Sequence, residues 1–333
     1  MFKKEGKLDF LAIGDTAVDA FIKLKDAHVH YKIDTNTCEL CLRFADKVPY
    51  ESVTVVPAVG NASNAAVCAS RLGLKSALVS NVGDDKEGID CLNSFKKDSI
   101  STEFIKINGG IKTNYHYVLW YEAERTILIK HEIYPYALPE VGTPAWIYFS
   151  SVSETAFPFH NTIADYLDTH PEIKLAFQPG KFDIKLGKEK LARLYKHSKI
   201  FFCNVEEAEK ILSIKTSDKK ELLKKMRDLG PETVVITDGP NGAYAYDGIE
   251  YLFIPIYPDP KPPYERTGAG DAFASTVVVA IRQGRTLSEA LVWAGINSMS
   301  VVQEIGAQKG LLSREKLEGY LKTAPAEYKA KKI

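Results

Sequence analysis

Residues 266–273 of this chain read Arg-Thr-Gly-Ala-Gly-Asp-Ala-Phe. They follow a proline-rich segment, residues 255–263, that cannot continue a regular helix or strand. They lead into an apolar run that predicts a buried helix. The first amides of a helix lack partners within it and lie at the positive end of its dipole. A glycine-rich turn at this place therefore predicts a site for an anion.

Asp271 is the unexpected member of this turn, because a carboxylate repels the anion that the amides attract. One interpretation is a catalytic base, which takes a proton from a hydroxyl group while that hydroxyl attacks a phosphoryl group held by the amides. The other is an ordinary acidic residue in the first turn of a helix, stabilised by the helix dipole. These eight residues alone do not separate the two interpretations.

The composition is that of an ordinary soluble protein. The chain has 333 residues, enough for one large α/β domain or two small ones, with 43 basic and 43 acidic residues. The balanced charge favours neither a nucleic acid nor a membrane as partner, and no apolar run approaches the roughly 20 residues of a membrane span. We therefore expect a cytoplasmic protein.

The five cysteines are scattered, and their odd number fits reduced thiols inside a cell. Cys38 and Cys41 form a C-x-x-C pair, a spacing that zinc and redox sites use. No second pair and no histidine pair at zinc-finger spacing follows it. The surrounding residues predict a strand, in which positions three apart point to opposite faces, so we interpret the pair as two ordinary thiols.

After residue 140, apolar strands alternate with charged amphipathic helices, which predicts a parallel sheet with helices on both faces. Strands are predicted at residues 8–13, 77–82, 146–150, 175–178, 200–203 and 233–237, and helices at 64–72, 162–169, 188–197, 206–212 and 219–229. Two β-rich excursions, roughly residues 20–56 and 111–132, predict a smaller sheet. We expect residues 1–333 to form a single domain that includes it.

A second polar block lies at residues 59–66, where Gly60, Asn61 and Asn64 precede or begin an alanine-rich helix. Asparagine side chains both donate and accept hydrogen bonds, as recognition of sugar hydroxyls requires. N-capping of the helix by Asn61 or Asn64 is the alternative interpretation.

Polar motifs also follow the predicted strands at their carboxyl ends, where open α/β sheets bind ligands. Gly14 and Asp19 form G-x-x-x-x-D after the first strand, although an aspartate in a loop is common. Asn204 and Glu207 form N-x-x-E, which is equally the arrangement of a capping box. Residues 83–88 form G-x-D-x-x-G, which we interpret mainly as a structural turn.

The last of these motifs is T-x-G-x-x-G-A, formed by Thr237, Gly239 and Gly242 with the alanine that follows. Its glycines are also those of an ordinary turn. Three other chemical motifs are absent from the sequence: the P-loop, H-E-x-x-H and the dinucleotide fingerprint G-x-G-x-x-G. Their absence argues against a P-loop enzyme, a zinc protease and a dinucleotide dehydrogenase.

Taken in order along the chain, the motifs resemble the signatures of the ribokinase-like (PfkB-type) carbohydrate kinase family. Its C-terminal signature D-T-x-G-A-G-D-x-F aligns with residues 265–273, and its N-terminal signature G-G-x-x-x-N-x-A aligns with residues 59–66. The resemblance implies an α/β fold of the ribokinase-like type. This is a three-layer sandwich with a mostly parallel central sheet, helices on both faces and a small β-sheet lid, here residues 20–56 and 111–132.

The resemblance also implies a role for each matched residue. Asp271 would be the catalytic base, and the anion hole would consist of Gly268, Ala269 and Gly270. The substrate would be bound by Asp19, Gly60, Asn61 and Asn64. The residues implied for ATP are Asn204, Thr237, Gly239, Gly242, Thr267, Gly268 and Gly270. Those implied for Mg²⁺, bound through water, are Asn204 and Glu207.

The activity implied is transfer of the γ-phosphoryl group of ATP to a hydroxymethyl group of a sugar or sugar-like molecule. The aromatic residues between 115 and 121 also fit stacking on a nucleobase, so an adenosine-like nucleoside is an alternative substrate. Loss of the base or of the anion hole would favour a non-catalytic, kinase-like binding protein, and neither is lost.

Two further expectations come from the resemblance. Family members often form homodimers through their lids, and we expect the same here. Many relatives also bind a monovalent cation such as K⁺ through an aspartate just upstream of the anion hole. Glu265 stands at that position and offers a hard oxygen ligand, with a solvent-exposed glutamate as the alternative.

Overall fold

The structure, a computed structural model, describes residues 7–32, 37–122 and 124–333. The two predicted β-rich excursions include residues 33–36 and residue 123, which lie outside the described residues. In the described part of the chain, every helix is too short or too polar to cross a membrane.

The described strands and helices alternate through most of the chain. The strands are β1 (Phe10–Ile13), β2 (Ala17–Leu24), β3 (His28–Lys32), β4 (Thr37–Cys41), β5 (Tyr50–Val59), β6 (Ser76–Gly83), β7 (Ile105–Asn108), β8 (Asn114–Tyr121), β9 (Glu124–Leu128), β10 (Trp146–Phe149), β11 (Lys174–Phe177), β12 (Ser198–Asn204), β13 (Thr233–Thr237), β14 (Ala243–Tyr246), β15 (Tyr251–Ile254) and β16 (Lys331–Lys332). The helices are α1 (Asn61–Arg71), α2 (Lys86–Lys97), α3 (Phe157–Thr169), α4 (Lys181–Leu186), α5 (Ala192–His197), α6 (Val205–Leu212), α7 (Lys219–Arg227), α8 (Ala269–Arg282), α9 (Leu287–Val301) and α10 (Arg314–Thr323).

The large sheet has the strand order β16-β15-β14-β13-β12-β11-β10-β1-β6-β7. The strands from β13 to β7 run parallel, whereas β14, β15 and β16 extend the sheet antiparallel to their neighbours. Because parallel strands end at the same edge, this edge collects the residues at or just after the ends of β11, β12 and β13. These residues are Gln178, Asn204 and Thr237.

Helices cover both faces of the large sheet, as the alternation in β1 shows. Phe10 and Ala12 point into one apolar cluster, which also contains buried residues of α1, α8 and α9. Leu11 and Ile13 point into a second cluster, with buried residues of α3, α5, α6 and α7. A strand that is apolar at every position is therefore explained by burial on both sides. The predicted α/β class and parallel sheet are confirmed.

The small sheet has the order β5-β2-β8-β9, and β3 and β4 form a separate hairpin. β2 runs parallel to β8, which places Asp19 beside His116 on the same face. β8 and β9 form an antiparallel pair, which places Trp120 beside Arg125. One side of the small sheet is buried, and the other exposes the apolar side chains of Val53, Val55, Tyr117 and Leu128.

One predicted helix differs from the structure. The sequence predicts a single helix over 188–197, but only residues 192–197 of this segment are helical, as α5, and a separate short helix, α4, lies before it. α4 ends at Gly187, whose φ of 90° lies in the left-handed region that favours glycine. The amphipathic pattern of the segment belongs to α5 alone. Elsewhere, helix α3 begins five residues before the predicted start at 162, since α3 runs from Phe157 to Thr169.

Candidate active site

The turn at the start of α8 has the geometry that its glycines predict. Gly268 precedes the helix with φ 79°, and a Cβ atom there would lie 2.2 Å from the Cβ of Ala307. No other residue fits this position without moving the neighbouring chain. Ala269 and Gly270 then begin the helix, so their amides have no partner within it. This helix terminus therefore offers the unpaired amides that the predicted anion site requires.

Asp271 is buried in the first turn of α8 and is held by three side-chain amides. Its Oδ1 accepts hydrogen bonds from Asn61 Nδ2 at 2.7 Å and from Gln178 Nε2 at 3.2 Å. Its Oδ2 accepts one from Asn64 Nδ2 at 2.8 Å. Burial raises the pKa of Asp271 above its ordinary value, while the three amide donors and the charge of Arg125 act in the opposite direction.

The hydrogen bonds of Asp271 are divided unequally between its two oxygens. An ionised carboxylate has about four acceptor positions, two on each oxygen. Two donors occupy Oδ1 and one donor occupies Oδ2. Among the described residues, a second acceptor position on Oδ2 therefore has no donor.

Asn61 and Asn64 lie in the first turn of α1, but they do not cap it. The N-cap residue of α1 is Gly60, without a side-chain cap, so the N-capping alternative is wrong. Both asparagines bind Asp271 instead, and Asn64 Oδ1 accepts a hydrogen bond from Gln308 Nε2 at 3.0 Å. Gly60 is needed for a close approach, since a Cβ there would lie 2.5 Å from the carbonyl oxygen of Asp15.

Sequence reasoning missed Gln178, which lies at the end of β11 and links two buried groups. Its Nε2 donates to Asp271, and its Oε1 accepts a hydrogen bond from the hydroxyl of Tyr148. Burial raises the pKa of Tyr148 well above its ordinary value, so the tyrosine remains a donor. The position of Gln178 at the carboxyl end of a predicted strand was the available signal.

Asp19 lies in a second polar cluster, beneath the small sheet. Its Oδ1 is 3.2 Å from His116 Nδ1, in the cross-strand pair of β2 and β8. Asp15 makes a similar pair with His131 Nδ1 at 3.1 Å and accepts a hydrogen bond from the hydroxyl of Tyr136. The two histidine rings are 5.3 Å apart. Among the described residues, the hydrogen bonds of Asp19 lead to this cluster and not to Asp271.

A cavity of about 600 Å³ extends from the first turn of α8 to the far end of α9. Five residues predicted to bind ATP line it: Asn204, Thr237, Gly239, Gly242 and Gly270. Tyr257, Gly295, Ser298 and Met299 are further lining residues. Of the remaining two predicted ATP residues, neither lines this cavity: Gly268 is the N-cap of α8, and Thr267 donates its amide to Glu265.

Asn204 and Glu207 form a reciprocal capping box at the start of α6. Glu207 N donates to Asn204 Oδ1, and Asn204 N donates to Glu207 Oε2, each at 2.9 Å. Burial raises the pKa of Glu207, and the charge of Asp271 raises it further. The capping interpretation is confirmed. It engages only one Glu207 oxygen, so the other fits the outer shell of a Mg²⁺ ion that keeps most of its waters.

Gly242 also has a structural role at the rim of the cavity. Its φ is 93°, and a Cβ there would lie 2.2 Å from the carbonyl oxygen of Ile254. Its own carbonyl accepts a hydrogen bond from the amide of Asp238 at 2.8 Å. The turn interpretation therefore holds for Gly242 together with its place on the cavity wall.

With this geometry established, comparison with known proteins assigns the family. The family described as pfkB family carbohydrate kinase matches residues 30–314. The chain belongs to this family. Its members are phosphotransferases, so the resemblance seen in the motifs and the prediction of a kinase are confirmed.

Two curated members of the family cover most of the chain. Ribokinase of Bacillus subtilis is 25% identical over 268 residues, which are 79% of this chain and 87% of the ribokinase. Nucleoside kinase of Methanothermobacter thermautotrophicus is 26% identical over 308 residues, which are 91% of this chain and 92% of that kinase.

A solved structure shows the same fold. Arabidopsis thaliana ribokinase complexed with ribose and ATP superposes with a TM-score of 0.78 at 16% identity, covering 95% of this chain and 99% of the ribokinase. The ribokinase-like three-layer fold predicted from the motifs is therefore confirmed.

Proposed function

We propose that this pfkB family kinase phosphorylates a hydroxymethyl group of a sugar or sugar-like molecule with ATP as donor. The observation that supports this most directly is Asp271, buried at a helix N-terminus with one acceptor position of Oδ2 still open. A base and an anion site within one helical turn are what in-line phosphoryl transfer needs.

In the proposed reaction, the substrate hydroxyl donates a hydrogen bond to Asp271 Oδ2. As the hydroxyl oxygen attacks the γ-phosphorus, its proton passes to Asp271, and the bond from the γ-phosphorus to the bridging oxygen of ADP breaks. The amides of Ala269 and Gly270 stabilise the charge on the transferred group. Asn204 and Glu207 would hold Mg²⁺ through water, and that ion neutralises charge on the phosphates when bound.

We propose the polar cluster of Asp15, Asp19, His116 and His131 as the place that receives the sugar hydroxyls. Paired carboxylates and imidazoles offer both acceptors and donors, which hydroxyl recognition requires. The contacts supporting this are the two Asp–His pairs beneath the small sheet. Asn61 and Asn64 stay part of the proposed substrate site through their hydrogen bonds to Asp271, and Gly60 stays part of it through its close approach to Asp15.

The aromatic residues support nucleobase stacking less well than the sequence predicts. Side chains alternate along β8, so Tyr115 and Tyr117 lie on the face opposite to His116. Tyr117 is 49% exposed, and Trp120 packs against Tyr264. A nucleoside nevertheless stays the second candidate, since a nucleoside kinase is the relative that covers 91% of this chain.

A coupled assay of ADP release over a panel of sugars and nucleosides tests the proposal. We expect turnover with a sugar or sugar-like alcohol, Mg²⁺-dependent, and its loss in the matched variant Asp271→Asn. ADP release by both proteins at the same rate would contradict the assignment of the base. Binding of a sugar by both proteins, without turnover by either, would support the non-catalytic alternative.

We further propose that residues 1–333 act as a single domain in which the small sheet is a mobile lid. Closure would exclude water that otherwise hydrolyses ATP. Supporting this, the buried side of the small sheet carries Asp19 and His116, while its outer side exposes Val55 and Tyr117. We propose that the outer side is the contact surface of a homodimer.

Three other expectations stay proposals. We propose that K⁺ activates the enzyme through Glu265, a hard oxygen ligand. This carboxylate is 2% exposed and already accepts hydrogen bonds from two backbone amides. Turnover in K⁺ against tetramethylammonium at equal ionic strength tests the activation. A cytoplasmic location is supported by the five free cysteines. The proposed partner is a small molecule rather than a nucleic acid or a membrane.

A further inference from the structure

The small sheet contacts the loop that leads into the anion site, and it does so at three consecutive loop residues. The rings of Trp120 and Tyr264 pack edge to face, with centroids 5.1 Å apart. Arg125 Nε lies 3.7 Å from Glu265 Oε1, and Arg266 Nη1 lies 3.7 Å from Glu124 Oε1. Two consecutive residues of β9, Glu124 and Arg125, therefore pair with two consecutive residues of the loop. The glutamate of each segment faces the arginine of the other.

The two ion pairs differ greatly in burial. Glu124 and Arg266 are mostly exposed, with 73% and 53% of their side chains accessible. An exposed ion pair of this kind contributes little to the stability of the contact, because water screens its charges. Glu265 is 2% exposed and Arg125 is 25% exposed. If either side chain were removed, little water could solvate the charge of the other, so the loss would be costly. The contact between the small sheet and the loop therefore depends mainly on Arg125 and Glu265.

Glu265 in turn fixes both sides of the turn before α8. Its Oε1 accepts a hydrogen bond from the amide of Thr267, and its Oε2 accepts one from the amide of Gly306 at 3.2 Å. Gly268 packs so closely on Ala307, the residue after Gly306, that no Cβ fits between them. A displaced Glu265 would therefore shift the turn that presents the amides of Ala269 and Gly270.

Arg125 has a donor that the structure leaves without an acceptor. Its Nε atom is buried and forms no hydrogen bond with any described residue. At 3.7 Å, its contact with Glu265 is an ion pair and not a hydrogen bond. A contact of this kind, between the small sheet and a loop and without a hydrogen bond, is suited to being formed and broken as the small sheet moves.

We propose that Arg125 is a positioning residue that couples closure of the small sheet to the geometry of the anion site. When the small sheet is closed, Arg125 holds Glu265, and Glu265 holds the amides of Thr267 and Gly306. The first turn of α8 reaches its catalytic geometry only in this state. The inference rests on the proposed kinase function and deepens it, because it explains how the enzyme avoids ATP hydrolysis without substrate.

Steady-state kinetics of Arg125→Gln, Glu265→Gln and the double variant tests the coupling, with Glu124→Gln as control. We expect kcat to fall roughly 10- to 100-fold in Arg125→Gln, since small displacements of a catalytic group have effects of this size. The KM for ATP should stay the same. The double variant should be no slower than Glu265→Gln, and Glu124→Gln should match the wild type. Additive losses in the double variant would overturn the proposal.

Added guanidinium ion gives a second kinetic readout, with Arg125→Ala as the variant. If the side chain acts through its charge on Glu265, guanidinium should restore part of the lost kcat in Arg125→Ala and none in Glu265→Gln. Equal recovery in both variants, or in neither, would contradict a role through Glu265.

Amide hydrogen exchange separates this inference from the proposed function, because it needs neither substrate nor turnover. In Arg125→Gln, the amides of residues 264–273 and 304–310 should exchange about tenfold faster than in the wild type, while Glu124→Gln leaves them unchanged. Unchanged exchange in Arg125→Gln overturns the positioning role even if kcat falls. Faster exchange in a protein that phosphorylates no sugar or nucleoside supports the coupling and removes the proposed function.

Discussion

The two halves of the candidate site are built in different ways. On the large sheet, the first turns of α1 and α8 bring Asn61, Asn64 and Asp271 together, and each helix carries its polar residues within one short motif. Beneath the small sheet, Asp19 meets His116 only because β2 and β8 pair in one register. The first half depends on local sequence, whereas the second depends on which strands become neighbours.

This difference predicts different consequences for substitutions in the two halves. The residues around Asp271 affect the protonation and the orientation of this carboxylate, the proposed base, so changes there should lower kcat. The two Asp–His pairs beneath the small sheet would contact the proposed substrate and not Asp271, so changes there should raise KM. Arg125 of β9 is the exception, because we propose that it acts on the anion site and so changes kcat. The predictions below test this division, beginning with the largest expected effect.

Replacing Asp271 should have the largest effect of any substitution. We expect Asp271→Asn to lower kcat by ~10²–10⁴-fold, the usual cost of losing a general base, while ATP binding persists. Steady-state kinetics and nucleotide titration measure both quantities. The exposed Asp165, which pairs with Arg193, gives the control Asp165→Asn with unchanged turnover. Near-normal turnover of Asp271→Asn would make the base assignment wrong.

Gln178→Leu should have a smaller effect that depends on pH. Burial raises the pKa of Asp271, and the hydrogen bond from Gln178 counteracts this. Its loss should raise that pKa further, so the acidic limb of the activity profile should move to higher pH. The direction follows because a base acts when ionised. The charges of Glu207 and Arg125 and the hydroxyl of Tyr148 also face this site and remain in the variant.

The size of the Gln178→Leu effect at neutral pH should be roughly tenfold in kcat, as for the loss of one hydrogen bond to a charged group. Tyr148→Phe is the matched control, because it removes the bond to Gln178 Oε1 but keeps the donor to Asp271. The pH profile of Tyr148→Phe should move less than that of Gln178→Leu. A profile that moves to lower pH in Gln178→Leu would contradict the role assigned to the amide.

In the small sheet, His116→Ala should raise the KM for the phosphoryl acceptor roughly tenfold, the size expected for a lost hydrogen bond to a charged partner, with a smaller change in kcat. The reason is that Asp19, 7% exposed, would lose its histidine partner and its fixed orientation. The exposed His28→Ala serves as control. A fall in kcat without a change in KM would show that the two halves of the site do not divide the work as proposed.

The sequence was most reliable where function and local structure share the same residues. Gly268 is required by its φ of 79° and its contact with Ala307, so a motif glycine predicted both a turn and a site. The capping box of Asn204 and Glu207 was predicted in the same way. Such features are determined within a few residues, and propensities and capping rules describe them well.

The contacts of Gln178, Gln308 and Arg125 could not be predicted, because their partners are distant in sequence. Gln178 and Asp271 are 93 positions apart, and Gln308 and Asn64 are 244 apart. A half-buried glutamine that contacts Asp271 differs from a surface glutamine only through the packing of the surrounding helices and strands. The face on which Tyr115 and Tyr117 lie could not be predicted either, since a shift of one residue in register exchanges the two faces of a strand.

The outer face of the small sheet should show the smallest effect on turnover but a clear effect on assembly. Val55 and Tyr117 expose about half of their surface there. If this face forms the proposed homodimer, Val55→Asp with Tyr117→Asp should convert a dimer mass into a monomer mass in light scattering at micromolar concentration. Turnover should change by no more than about twofold, as for surface substitutions away from a site.

Ile249→Asp, an exposed apolar position outside the small sheet, should keep the dimer mass. A wild-type protein with a monomer mass would remove the dimer, and a large loss of kcat in the Val55/Tyr117 variant would mean that the outer face also shapes the catalytic half.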